Sequence, residues 1–121
     1  MGKKILLADD EEDIIKLVSS RLKHWGYEVL IARDGKEALD FIHQEKPDLV
    51  LLDITMPVLD GIEVSRRVKS DKTLKNISII LLTASTRASS PEVLKVSQAD
   101  DYIIKPFESA LLLEKIKRLI G

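Results

Sequence analysis

The sequence predicts a doubly wound α/β domain, with a five-stranded parallel sheet covered by helices on both faces. Three observations carry that prediction. Short apolar runs alternate with longer amphipathic stretches along all 121 residues, the pattern of βαβ units. Two runs, 49–52 and 79–82, are apolar throughout rather than alternating, which suits parallel strands buried on both faces. Four runs also end in residues with evident chemistry. Ile5-Leu6-Leu7-Ala8 leads into Asp9-Asp10, Leu49-Val50-Leu51-Leu52 into Asp53, Ile79-Ile80-Leu81-Leu82 into Thr83, and Tyr102-Ile103-Ile104 into Lys105-Pro106.

The elements follow in order. A strand near 4–9 precedes a helix near 12–25, whose apolar spacing falls on Ile14, Val18, Leu22 and Trp25 and which ends at Gly26, a left-handed cap. After a strand near 28–32, Asp34-Gly35 opens a helix near 35–45 that Pro47 prevents from continuing. A strand near 48–53 and a helix near 61–70 come next, then a strand near 78–83. The segment from Thr83 to Ser90, with four more hydroxyl residues after Thr83, reads either as a mobile switching loop or as an ordinary surface turn. Ser90-Pro91 caps and starts a helix near 91–97. A strand near 101–104 and a helix near 107–120 complete a single domain, 1–121, without repeat or linker. In such sheets the crossovers are right-handed and ligands bind at the carboxyl ends of the strands. All four chemical clusters lie at those ends.

Composition excludes several classes. Hydrophobic residues make up 45% and charged residues 32%, an ordinary globular balance with enough chain for a core of its own. The formal net charge is -1, which gives no sign of nucleic-acid binding. There is no cysteine, hence no disulfide framework and no thiol chemistry. Basic Met1-Gly2-Lys3-Lys4 precedes an apolar run too short for a signal peptide, and no stretch approaches a membrane span. The expectation is a soluble, cytoplasmic protein.

Asp9, Asp10 and Asp53 are expected within a few ångströms of one another. Two unit charges about 4 Å apart repel by roughly 4 kcal/mol at an effective dielectric near 20. Three therefore call for a cation or a raised pKa, and an all-oxygen donor set with room for water or phosphate favours Mg²⁺ over Ca²⁺ or zinc. Asp10-Glu11-Glu12-Asp13 also suits a helix start, where acidic side chains cap donors and favour the dipole. Capping needs one carboxylate, however, and does not account for Asp53. A carboxylate is a competent nucleophile at phosphorus, with Lys105 and Thr83 placed to meet the transferring oxygens.

Those residues resemble the receiver domain of two-component response regulators over nearly the whole chain. The matching motifs are Leu7-Ala8-Asp9-Asp10-Glu11, Pro47-Asp48-Leu49-Val50-Leu51-Leu52-Asp53, Met56-Pro57-Val58-Leu59-Asp60-Gly61, Leu82-Thr83-Ala84 and Asp100-Asp101-Tyr102-Ile103-Ile104-Lys105-Pro106-Phe107. The resemblance implies a flavodoxin-like sheet of order 2-1-3-4-5. It implies that Asp53 accepts a phosphoryl group from a histidine kinase or histidine phosphotransfer protein. Asp10 and Asp53 would ligate Mg²⁺ directly, Thr55 through its backbone carbonyl and Asp9 through water. Thr83 and Tyr102 would form the switch pair, and Lys105-Pro106 a cis peptide aiming Lys105 at the pocket. The output surface would be helix 91–97, strand 101–104 and helix 107–120, meeting a downstream protein, an output domain or a second copy on phosphorylation.

Four positions depart from the family pattern. Gln98 stands where glycine is common, Ile104 replaces a frequent small hydroxyl residue, and Thr55 and Ser85 offer no acid or amide to orient a hydrolytic water. The last departure implies a long-lived phosphoryl group. His24 and His43 are expected far from the pocket, Trp25 and Tyr27 at the bottom of the core, and Leu111-Leu112-Leu113 in a broad core contact or, with its excess leucine, on a partner surface. Competing classes are weaker. An aspartyl-phosphate phosphatase commonly carries an aspartate where Thr55 stands, a flavodoxin-like cofactor binder needs a phosphate-cradling loop where Asp9–Asp13 would repel phosphate, and a receiver that signals without phosphorylation would not need the full set of acids. The chain stops at Gly121, where a receiver's last helix ends, so it is expected to be free-standing or part of a longer protein.

Overall fold

A computed structural model describes residues 2–84 and 91–121. Its elements run β1 (Lys4–Ala8), α1 (Glu12–His24), β2 (Glu28–Ala32), α2 (Gly35–Glu45), β3 (Leu49–Asp53), α3 (Gly61–Ser70), β4 (Ser78–Thr83), α4 (Pro91–Ser97), β5 (Asp101–Ile104) and α5 (Ser109–Ile120). All strand pairs are parallel, and the order is β2-β1-β3-β4-β5, as the resemblance implies. The segment Thr83–Ser90 and the Ser90 cap fall largely outside the described residues. No described helix is long and apolar enough to cross a membrane.

The strands' period of two sorts their side chains into two cores. Leu6, Val50, Leu52, Ile79 and Leu81 pack with Ala38, Ile42, Val64 and Val68, beneath α2 and α3. Ile5, Leu7, Leu49, Leu51, Ile80 and Ile103 pack with Ile15, Val18, Leu22, Leu112 and Ile116, beneath α1 and α5. Fully burying one such side chain contributes about 1.5–3 kcal/mol. Every residue of β3 is buried, which is why its sequence is apolar up to Asp53.

Local signals behave as their chemistry requires. Gly26, at φ 94, closes α1: its N–H donates to the Lys23 carbonyl, and the Tyr27 N–H to that of Leu22. Asp34 and Asp60 cap α2 and α3, each accepting from the backbone N–H of Glu37 or Glu63 at 2.8 Å. One helix face and one helix boundary differ from expectation. On α1 the buried stripe runs through Ile15 rather than Ile14, because Ile15, Val18 and Leu22 share the sheet-facing side. Helix α5 begins at Ser109 rather than 107, because Phe107 packs into the α1/α5 core and Glu108 stays extended (φ -86, ψ 142) as its N-cap.

The cores lend the rim its rigidity. A Cβ on Gly61 would lie 2.2 Å from the Asp53 carbonyl oxygen, and one on Gly35 1.8 Å from that of Leu59, so only glycine fits where the β3–α3 loop is clamped. Between those clamps the Leu59 N–H donates to the Pro57 carbonyl at 2.8 Å, a γ-turn that holds Val58 at φ 72 with its side chain 76% exposed.

Candidate functional site

Asp9, Asp53 and Lys105 each follow by two residues a side chain of the α1/α5 core, namely Leu7, Leu51 and Ile103. The period of two therefore aims all three at the same side of the sheet's carboxyl rim. Thr83, two residues after Leu81 of the other core, is buried at the end of β4. Its carbonyl accepts from the Lys105 N–H at 2.7 Å, which fixes the lysine's backbone beside β4.

The predicted acidic cluster is present. Carboxylate oxygens of Asp9, Asp10 and Asp53 all lie within 4.8 Å of one another. Asp9 is fully buried and Asp53 is 5% exposed, whereas Asp10 is exposed. Lys105 Nζ, its side chain 9% exposed, lies 2.7 Å from Asp9 Oδ2, 3.1 Å from Glu11 Oε1 and 3.5 Å from Asp53 Oδ1. Sequence reasoning aimed the lysine at Asp53, but its tightest partner is Asp9, reached across 96 residues of chain. The second oxygen of Asp9 accepts from the Glu11 backbone N–H at 3.0 Å.

Electrostatics follow from the count of charges. Burial, then the neighbouring Asp9 charge, pushes the Asp53 carboxyl up to about 6, with a smaller push from Asp10, against the downward pull of Lys105. Burial works against the Lys105 ammonium, but the hydrogen bond to Asp9 and the charges of Asp53 and Asp9 outweigh it and hold the lysine above its ordinary value. Three carboxylates, Asp9, Glu11 and Asp53, thus face one ammonium, and a fourth, Asp10, lies beside Asp9 and Asp53. Hard oxygen donors at close quarters with surplus negative charge fit a small divalent cation.

The remaining expected residues are placed as follows. Thr55 is exposed on the loop after β3, and Ser85 lies outside the described residues. Tyr102 is half-buried against the α2/α3 core, with the Lys115 ammonium 5.9 Å from its ring centroid. Lys105-Pro106 is cis. Gln98 sits at φ 58, the left-handed conformation that makes glycine common there. Ile104 and Leu111 are exposed, Leu112 is buried, and His24 and His43 lie exposed in the last turns of α1 and α2. A groove of about 730 Å³ lies off the acidic rim, over β5 and α5, lined by Tyr102, Ile104, Leu111 and Lys115 among others.

Glu11 was the site residue that sequence reasoning missed. The acidic run suggested helix capping, yet Glu11 occupies the N-cap of α1 without making a side-chain cap bond. Its carboxylate goes to Lys105 instead.

Comparisons with known proteins agree with this geometry. A family model for the response regulator receiver domain matches residues 5–117. The chain is 40% identical over 120 residues to the alkaline phosphatase synthesis transcriptional regulatory protein PhoP of Bacillus subtilis (strain 168), covering 99% of this chain and 49% of that protein. It spans about half the length of the curated relatives it matches. The receiver domain of the sensor histidine kinase PA1611 from Pseudomonas aeruginosa PAO1, with a magnesium ion coordinated in its active site cleft, is similar at a TM-score of 0.91 and 30% identity, over 100% of this chain and 99% of that one. The response regulator TrrA from Thermotoga maritima, in complex with Mg²⁺ and BeF, is similar at a TM-score of 0.88 and 40% identity, over 97% of this chain and 98% of that one.

Proposed function

This chain belongs to the response regulator receiver domain family of two-component systems, and from that premise we propose that it is a Mg²⁺-dependent phosphorylation switch with Asp53 as phosphoacceptor. The observation that carries the proposal is the convergence of three aspartates within 4.8 Å with a lysine 3.5 Å from Asp53. An Asp53 Oδ attacks the phosphorus of a phosphohistidine on a histidine kinase or phosphotransfer protein. The new P–O bond forms as the P–N bond breaks, and the bonding pair leaves on the imidazole nitrogen. A bound Mg²⁺, held by Asp10, Asp53 and the Thr55 carbonyl and through water by Asp9, would supply positive charge at the phosphoryl oxygens.

The chain's own groups do the rest. Lys105, already charged and nearly buried, follows the developing charge on one phosphoryl oxygen. The Thr83 hydroxyl donates to another, and Tyr102 moves inward behind it. Asp9, with both oxygens engaged, anchors Lys105, which supports its being the more remote of the three acids from a metal. The rearranged surface of α4, β5 and α5 then signals to a protein target, an output domain or a second copy. No metabolite is turned over, and neither nucleic acid nor membrane is bound directly.

Acetyl phosphate or phosphoramidate with Mg²⁺ should add one phosphoryl group, read by intact mass, and Asp53→Asn should abolish it. Labelling that survives the substitution would rule out Asp53 as the acceptor.

A further inference from the structure

We propose that Glu11 is a positioning residue that restrains Lys105 in the resting site and so slows phosphoryl uptake. The inference rests on Asp53 being the acceptor. Three observations support it. Glu11 stands at the N-cap of α1 but spends no side-chain bond on capping, so a cap bond does not account for where its carboxylate points. Its carboxylate lies 3.1 Å from Lys105 Nζ, closer than Asp53 at 3.5 Å. The three acids are also held differently. Asp9 is fully buried and bonded through both oxygens, a fixed anchor, whereas the Glu11 side chain is 61% exposed.

The ammonium has three donors and faces three carboxylates. To follow an oxygen of the phosphoryl group arriving on Asp53, it must move toward Asp53 and give up a contact. Asp9 reaches it from the buried side at 2.7 Å, so the contact that yields is the one to exposed Glu11. Glu11 therefore acts as a detent on the lysine. The competing reading is an incidental surface ion pair, of the kind that contributes little.

Charge and reach separate the possibilities. Glu11→Gln keeps the size and removes the charge. Glu11→Asp keeps the charge but is one methylene too short to hold the 3.1 Å contact. Both variants and the wild-type chain are given acetyl phosphate, which transfers its phosphoryl group with loss of acetate, or phosphoramidate, which loses ammonia, each with Mg²⁺. Uptake is followed against donor concentration, with the thermal midpoint as a check on folding.

Both variants should take up phosphate about two- to fivefold faster from either donor, the range of a partly exposed ion pair, with the gain in the maximal rate. Wild-type rates in Glu11→Gln would overturn the proposal. So would acceleration in Glu11→Gln alone or a gain confined to donor affinity, since either would make Glu11 merely a repelling charge. Wild-type protein that takes up nothing from either donor would instead bring down the phosphoacceptor reading, and the role of Glu11 with it.

Discussion

Two lysines are buried to nearly the same degree at opposite ends of this sheet, and they keep very different company. Lys69, in the last turn of α3 and 10% exposed, donates to the carbonyls of Lys75 at 3.1 Å and Ile77 at 2.7 Å and to the Asp100 carboxylate at 2.8 Å. The same Asp100 oxygen accepts from the Ile79 N–H at 2.8 Å. One positive charge meets one negative charge, and neutral dipoles fill the remaining donors. Lys105, 9% exposed at the carboxyl rim, meets Asp9, Glu11 and Asp53. A matched lysine ties α3 to the amino ends of β4 and β5. An outnumbered one leaves carboxylates that favour further positive charge, which is what phosphoryl chemistry on a carboxylate requires.

Substitution of each lysine tests that contrast most strongly. Lys105→Met should lower phosphoryl uptake from acetyl phosphate by about 10²-fold or more, the scale of losing a group that stabilises transition-state charge. Lys69→Met should leave uptake within about twofold of wild type, while denaturant unfolding shows a loss of about 2–3 kcal/mol from stranding Asp100 and two carbonyls. If the two variants exchanged these phenotypes, the contrast would fail.

The surplus charge also has a stability signature. Asp53 titrates near 6 when folded, against 3.8 as its reference. The folded chain therefore binds more protons between those values, and stability from this group is lost as pH rises from about 4 through 6. Metal-free Asp53→Asn should accordingly be more stable than wild type by up to about 3 kcal/mol at pH 7, with the gain disappearing below about pH 4. Chemical denaturation in chelator at several pH values measures it, and a pH-independent difference would contradict the crowding of charge. The smallest effect is expected at the end of α4: Gln98→Gly should raise stability by about 1 kcal/mol by relieving the left-handed backbone, read as a higher thermal midpoint with unchanged uptake.

Much of this was legible along the chain because its causes are local. Continuous apolar runs marked buried parallel strands, Asp34 and Gly26 marked helix ends, and strand-terminal Asp9, Asp53, Thr83 and Lys105 marked the rim. Gln98 stood out as a non-glycine at a position that proves left-handed. What escaped were contacts between distant segments. The acids at 10–13 favour a helix start by any local measure, and only the folded geometry shows that Glu11 reaches Lys105 instead. The start of α5 at Ser109 rather than 107 is not legible along the chain, because nothing local shows that Phe107 packs into the core before the helix begins.

The bond that spans 96 residues has a consequence for how the protein is made. A nascent chain released up to Asp100 already carries every aspartate of the rim but not its ammonium. Until β5 is synthesised and docks beside β4, Asp9 and Asp53 repel each other without relief. On the role proposed for Asp53, a chain still lacking β5 would have the acceptor without the ammonium its chemistry uses, and is expected to take up no phosphoryl group.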